Sequence, residues 1–234
     1  EARSRGVPVN LCGAHHSMRG QTLSAGGIRL IPQLPECLEV IDDADGPLVR
    51  IAASAQWESL TALHENGLAA PVFTTHRSTA IAGTLSISGV GQRSYQYGRQ
   101  IDTVRSLELI LPNGEITTCS KTENPELFRH TLSGLGATGV MTRVTLETID
   151  YRPHLVHILF DYDNIGQYLE HARQLSQAIP SPWDDHLRNV WTSRDHERYT
   201  VHYGLEFATI QEAEACRETL PSFLEHHRAH HYAS

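Results

Sequence analysis

Apolar and polar positions fall in short blocks along the first two thirds of the chain, and most of those blocks predict strands. Val7 to Cys12 is an apolar run that predicts a buried strand stopping at Gly13. Gly27 to Ile31, Leu38 to Ile41 and Leu48 to Ala53 predict three more short strands, the last ending at Ser54, a residue suited to cap a helix. From Gln56 to Gly67, the residues Trp57, Leu60 and Leu63 fit one face of an amphipathic helix with a glycine stop. Val104 to Leu111 and Glu115 to Cys119 predict strands joined by Pro112-Asn113-Gly114, because Asn and Gly both accept the positive φ of a tight hairpin. Asn124-Pro125 opens a helix with proline in its first turn, and Val140 to Ile149 is again a strand.

After Asp150-Tyr151-Arg152-Pro153 the pattern changes. Leu155 to Phe160 predicts a strand, and Ile165 to Ile179 a helix with Tyr168, Leu169, Ala172 and Leu175 turned inward. Pro180-Ser181-Pro182 breaks the chain before a strand at Tyr199 to Phe207 and a helix at Ile210 to Leu224. Strands mixed with helices in this order predict a mixed α/β or α+β fold, and 234 residues are enough to bury a substantial core.

Composition excludes some classes of function. A net charge of −8 without any Lys/Arg block argues against a nucleic-acid surface. No long uncharged apolar run is present, so no membrane span is expected. The cysteines Cys12, Cys37, Cys119 and Cys216 are scattered without Cys-x-x-Cys spacing, which predicts reduced, buried thiols and a cytoplasmic protein. The chain begins at Glu1 without a methionine, and a helix is expected before Val7, so an upstream portion is expected to be missing.

Three stretches carry candidate chemistry. In the first, small residues at Gly13, Ala14 and Ser17 let the backbone turn after the strand and expose a nest of amides suited to a diphosphate. His15, His16 and Gln21 stand in the same loop; the alternative is a plain polar turn with hydrogen-bonded histidines. In the second, Thr79 to Gly91, almost every residue is small or apolar and hydroxyls recur at Thr84, Ser86 and Ser88. Such a segment admits a flat ligand at close range, or else packs tightly between helix and sheet. The third, Gly134 to Gly139, satisfies Gly-x-Gly-x-x-Gly, but it follows a helix and precedes a strand, the reverse of a dinucleotide fold. His226, His227, His230 and His231 have helical metal-ligand spacing at the chain end; a frayed polar helix end is the better reading, and no metal is assigned.

Gly13-Ala14-His15-His16-Ser17 with Gly20 and Gln21 resembles the Gly-x-Gly-His-Ser-x-x-Gly-Gln loop of the vanillyl-alcohol oxidase and p-cresol methylhydroxylase flavoproteins, nearest to their cytokinin dehydrogenase branch. Gly83-Thr84-Leu85-Ser86 with Gly89 resembles that family's flavin-lining run, and the hairpin and Asn-x-Glu-Leu-Phe helix follow in the same order. The resemblance covers roughly Val7 to Pro153. It implies an α+β PCMH-type FAD-binding domain over residues 1–152, without its N-terminal portion, and a partial substrate domain over 153–234. It implies FAD as cofactor, with Gly13, Ala14, His15, His16, Ser17, Gln21, Gly83, Thr84, Ser86 and Gly89 around it. Backbone from Gly139 and Val140 would approach the adenine half. His16 falls where the cytokinin branch bonds FAD covalently, while His15 departs from the glycine usual before that position.

The implied activity is hydride removal from a C–H beside nitrogen or oxygen of a small-molecule substrate, with electrons passing to oxygen or another acceptor. The alternative is a flavin-fold protein without redox turnover, a binding module or a cyclase. Where the cytokinin branch carries its aspartate base, counting back from Gly83 reaches Thr75, and no Asp or Glu lies between Asn66 and Gly83. A hydroxyl is too weak a base to replace a carboxylate. The neighbouring His76 can accept a proton near neutral pH, and Arg77 can hold an anionic group. The chain is therefore not expected to be a cytokinin dehydrogenase. The resemblance implies that the chain is expected to be a fragment, a partly ordered protein, or a reduced relative whose site a second chain completes.

Overall fold

A computed structural model describes residues 2–18, 20–176, 187–194 and 198–224; the Pro180-Ser181-Pro182 break and the histidine tail lie outside them. Two compact units divide the chain, residues 1–91 with 97–150, and residues 92–96 with 151–234.

In the first unit, α1 (Ala2–Arg5) precedes β1 (Val9–Leu11), which pairs in parallel with β2 (Ile28–Leu30). β3 (Leu38–Ile41) and β4 (Leu48–Ala52) follow, then a 3-10 helix (Trp57–Asn66), β5 (Leu68–Ala69) and the short helix α2 (Ile81–Leu85). After α3 (Ser94–Tyr97) and a second 3-10 turn (Gln100–Thr103) come β6 (Val104–Ile110), β7 (Ile116–Ser120), α4 (Pro125–Thr131), β8 (Val140–Glu147) and β9 (Ile149–Asp150). An antiparallel five-stranded sheet, in the order β3-β4-β8-β6-β7, forms the frame. Its inner face contributes Val49, Ile51, Leu107, Leu109, Val144 and Leu146, packed with Trp57, Leu60, Leu63, Ile81 and Leu85. Burying a side chain of this size contributes about 1.5–3 kcal/mol, so this layer fixes where α2 sits.

Local differences from the sequence expectations have physical reasons. The stretch after Gln56 is a 3-10 rather than an α-helix, and its three buried residues recur every third position, the 3-10 period. Gly67 ends it in the left-handed region at φ 69°. At the β6–β7 hairpin only Gly114 takes positive φ, and its amide donates to the Leu111 carbonyl at 2.9 Å. β1 is not a buried strand: Val9 is 45% exposed, because a two-stranded pair has little to cover it, and only Cys12 at its end is buried.

The second unit is a three-stranded antiparallel sheet, β10 (His154–Tyr162), β12 (Tyr199–Phe207) and β11 (Leu187–Arg194) in that spatial order, with helices α5 (Ile165–Ser176) and α6 (Ile210–Leu224). Val156, Ile158, Phe160, Val201, Tyr203, Leu205 and Phe207 form its core with Ala213 and Cys216 of α6. In α5, Tyr168 packs on this core and Leu169 is exposed, while the side chains of Ala172 and Leu175 lie outside those described. Among the described residues, no helix is long and apolar enough to cross a membrane, and no group of three metal-binding side chains occurs.

Candidate functional site

β1 ends in a last rung, the Cys12 amide donating to the Leu30 carbonyl at 2.9 Å. The backbone then leaves the sheet. His15 adopts φ 62°, a left-handed conformation unusual outside glycine, with its Nδ1 3.4 Å from the buried Cys12 Sγ. The amides of Gly13, Ala14, His15, His16 and Ser17 donate to no acceptor among the described residues. A run of open amides on a turning backbone is a concentration of partial positive charge, the surface a diphosphate needs. Gln21, exposed beyond the loop, makes no hydrogen bond among the described residues.

Against this loop lies the segment leading into α2. A Cβ on Gly13 would sit 3.0 Å from the Ala80 Cβ, so glycine is what permits the approach. His16 Nε2 lies 3.2 Å from Ser78 Oγ, and the His16 ring meets His76 edge to face at 4.5 Å. The His76 carbonyl accepts from the hydroxyls of Thr74 and Thr79 at 2.8 and 2.9 Å and from the Thr79 amide at 3.1 Å, which ties the turn down from the inside. The side chains of Thr75, His76 and Arg77 are exposed, with Arg77 lying over the Phe73 ring at 5.3 Å.

α2 itself is held by Ile81 and Ala82 amides donating to the carbonyls of Ala55 and Ala53, both at 2.9 Å. Thr84 is buried: its hydroxyl accepts from Trp57 Nε1 at 2.8 Å and donates to the Ile81 carbonyl. Its hydroxyl therefore locks the helix to the core. Ser86 Oγ likewise bonds back to the Ala82 carbonyl at 2.7 Å, while Gly83 is open to solvent. Gly89 donates to the Thr84 carbonyl and has no space for a Cβ, which would fall 2.3 Å from Gln100 Oε1.

The glycine turn completes the arrangement. The Ser133 and Leu135 amides donate to the carbonyls of Leu85 and Ser86, each at 3.0 Å, and a Cβ on Gly136 would meet Leu11 of β1 at 3.1 Å. Gly139 passes so close to β6 that a Cβ would lie 2.5 Å from the Ile110 carbonyl, and Val140, paired with Ile110, begins β8. Three motifs far apart in sequence thus share one side of the first unit. Around the end of α2, Ile87, Val90 and Leu135 are 64%, 63% and 78% exposed, an apolar surface suited to a flat ring.

Two residues of this region give no signal in the sequence. Ser78 reaches His16 across 62 positions. Gln100 is fully buried with both side-chain polar atoms unpartnered among the described residues, beside the Gly89 turn.

Open amides, close glycine contacts and exposed apolar rim together fit a dinucleotide bearing a flat ring system. Residues 1–120 match the family described as "FAD binding domain". Cytokinin dehydrogenase 1 of Oryza sativa subsp. japonica is 34% identical over 213 residues, which is 88% of this chain and 39% of that protein. Cytokinin dehydrogenase 4 of Arabidopsis thaliana is 34% identical over 146 residues, 60% of this chain and 28% of its own length. An uncharacterized oxidoreductase of the fasciation locus of Rhodococcoides fascians is 29% identical over 178 residues, 75% of this chain and 40% of its own. The chain thus spans between 28% and 40% of the length of these relatives. The family match runs over half of the chain and includes the loop at Gly13 and the run at Gly83, and the chain belongs to this family of FAD-binding domains, that of the vanillyl-alcohol oxidase and p-cresol methylhydroxylase flavoproteins.

Proposed function

We propose that the chain is the flavin-holding part of an FAD-dependent oxidoreductase that removes hydride from a C–H beside nitrogen or oxygen of a small molecule. The observation that carries this reading is the convergence of the open Gly13–Ser17 amides with Ser78, Ala80 and the His76 ring. When bound, FAD supplies the two-electron acceptor, and oxygen or another acceptor takes the electrons onward. The backbone amides of Gly13 to Ser17 hold the diphosphate, and His16 is the covalent anchor. Gly83 gives room for the ring and Gly89 leaves room for the buried Gln100 that backs the turn, while Thr84 and Ser86 brace α2 through their hydroxyls. Backbone at Gly139 and Val140 meets the adenine half. The second unit, with residues 153–234 as its main part, serves as a partial substrate domain, and a second chain or further sequence completes the site.

His76 is the proton acceptor of the proposed reaction. Its side chain is exposed, its backbone is fixed by three hydrogen bonds to its carbonyl, and its ring lies beside the His16 anchor. Arg77 holds an anionic group of the substrate, and Thr75 orients it. With no carboxylate in this segment, the substrate differs from the secondary amines of the cytokinin type.

The test is anaerobic bleaching of the flavin-loaded chain by candidate substrates. His76→Ala should slow bleaching about a hundredfold or more while Thr75→Ala changes it little. Rapid bleaching by cytokinin-type amines, or full activity in His76→Ala, contradicts the assignment of the base. A preparation that binds no FAD contradicts the function itself.

A further inference from the structure

We infer that Ser78 positions His16 for its bond to the cofactor and selects Nδ1 as the bonding atom. The inference rests on the FAD reading above. His16 is exposed and lies in a loop whose amides find no internal partner, so nothing in the loop itself fixes its ring. Two contacts from the facing segment do so. Ser78 Oγ lies 3.2 Å from Nε2, and the His76 ring stands against the imidazole with its plane turned by 86°. With Nε2 occupied, Nδ1 is the nitrogen left to react.

A hydroxyl is suited to this place because it both accepts and donates. Before the bond forms, Nε2–H donates to Ser78 Oγ, which leaves the lone pair on Nδ1. That lone pair makes the new C–N bond at the flavin ring methyl. One C–H bond of the methyl breaks and its electron pair stays in the ring; the N–H bond at Nε2 breaks and its pair becomes the Nε2 lone pair. Dioxygen takes the ring's extra electron pair and the two protons, giving hydrogen peroxide and an oxidised, linked flavin. Ser78 then turns its O–H toward the new Nε2 lone pair. Its hydroxyl thus satisfies Nε2 in both states, which an apolar side chain cannot do. The turn that carries it is pinned by Thr74 and Thr79, so the hydroxyl is held before the cofactor arrives.

The full chain, freed of flavin, is incubated with FAD in air. Total bound flavin, the fraction retained after acid precipitation, and the linked nitrogen in the isolated flavin peptide are followed in parallel. Thermal unfolding of each variant checks its fold. The wild-type chain should retain flavin in the pellet, linked through Nδ1. Ser78→Ala should bind FAD but attach it about tenfold more slowly, with linkage divided between the two nitrogens, and Ser78→Thr should restore both rate and position. Attachment in Ser78→Ala at the wild-type rate and wholly through Nδ1 overturns the inference. Bound flavin that is entirely released by acid from the wild-type chain also overturns it, yet leaves the FAD reading standing. Failure of every variant to bind FAD overturns both.

Discussion

His16 and His76 meet edge to face at 4.5 Å, whereas His157 and His202 lie nearly parallel at 5.2 Å with planes 19° apart. The first pair is exposed and touches only small neighbours: Ser78 on one ring, and on the other none beyond His16 among the contacts described. The second pair is half-buried in the three-stranded sheet, with His157 Nε2 3.0 Å from His202 Nδ1 and Ser193 Oγ 2.7 Å from His202 Nε2. Burial disfavours the charged imidazole, so both His157 and His202 are held below the ordinary histidine range; for His202 the neighbouring His157 adds to the effect and Asp161 opposes it. Residue type therefore does not tell the two pairs apart. What separates them is how many hydrogen-bonding positions the fold has already used. A network satisfied within the sheet rigidifies it, while an open pair beside unoccupied amides is available to a ligand.

The arginines repeat the contrast and give the largest expected effect. Arg93 is half-buried against the buried Glu206, with its Nη2 and Nε at 2.6 and 3.0 Å from Oε1, whereas Arg77 lies exposed on the Phe73 ring. Arg93→Ala should lower the unfolding free energy of the second unit by about 3 kcal/mol or more, since it removes the guanidinium from a buried carboxylate. Arg77→Ala should change stability by no more than about 0.5 kcal/mol. Urea unfolding of the two variants checks this; equal losses would erase the distinction between the regions.

A smaller effect is expected from pH. The unfolded chain binds protons at His157 and His202 more readily than the folded sheet does. The stability these residues contribute is complete above the unfolded value near ~6.5 and is lost as pH falls through the lower folded values. Hydrogen exchange at β12 should accelerate between neutral pH and mildly acidic pH after correction for intrinsic rates, and His157→Phe with His202→Phe should flatten that dependence. An acceleration that persists undiminished in the double variant assigns it elsewhere.

The smallest effect is at Leu135, which is 78% exposed and held at φ 54° where a side chain is strained. Leu135→Gly should raise stability by up to about 1 kcal/mol, because glycine adopts this conformation without strain. Thermal unfolding reads the change. A loss of stability would mean that the exposed leucine makes up its strain through packing.

Much of this organisation is legible in the residues themselves. The strands of the five-stranded sheet lie where short apolar runs and the Asn113-Gly114 turn put them, and β12 and α6 lie where the pattern puts them. Burial does not simply alternate along the sheet strands, β3 being largely exposed and β4 and β8 buried at consecutive positions. β11 is not legible: Leu187 to Arg194 is a largely polar edge strand, defined by pairing with β12 and not by its own pattern. The 3-10 character of Trp57–Asn66 is visible in the three-residue spacing once that period is considered alongside 3.6. At the site, the sequence shows the glycines and histidines as types. It cannot show that Thr84 turns its hydroxyl onto Trp57, or that Ser78 reaches His16, because both depend on contacts between distant segments.

The central claim is that three separated motifs form one FAD surface on the first unit. Amide hydrogen exchange of the chain with and without FAD tests it most directly. Exchange at Gly13 to Ser17 and at Gly139 and Val140 should slow together on FAD addition, while β10 and β12 remain unchanged. FAD binding that leaves the Gly13–Ser17 amides exchanging at their free rate would contradict the account.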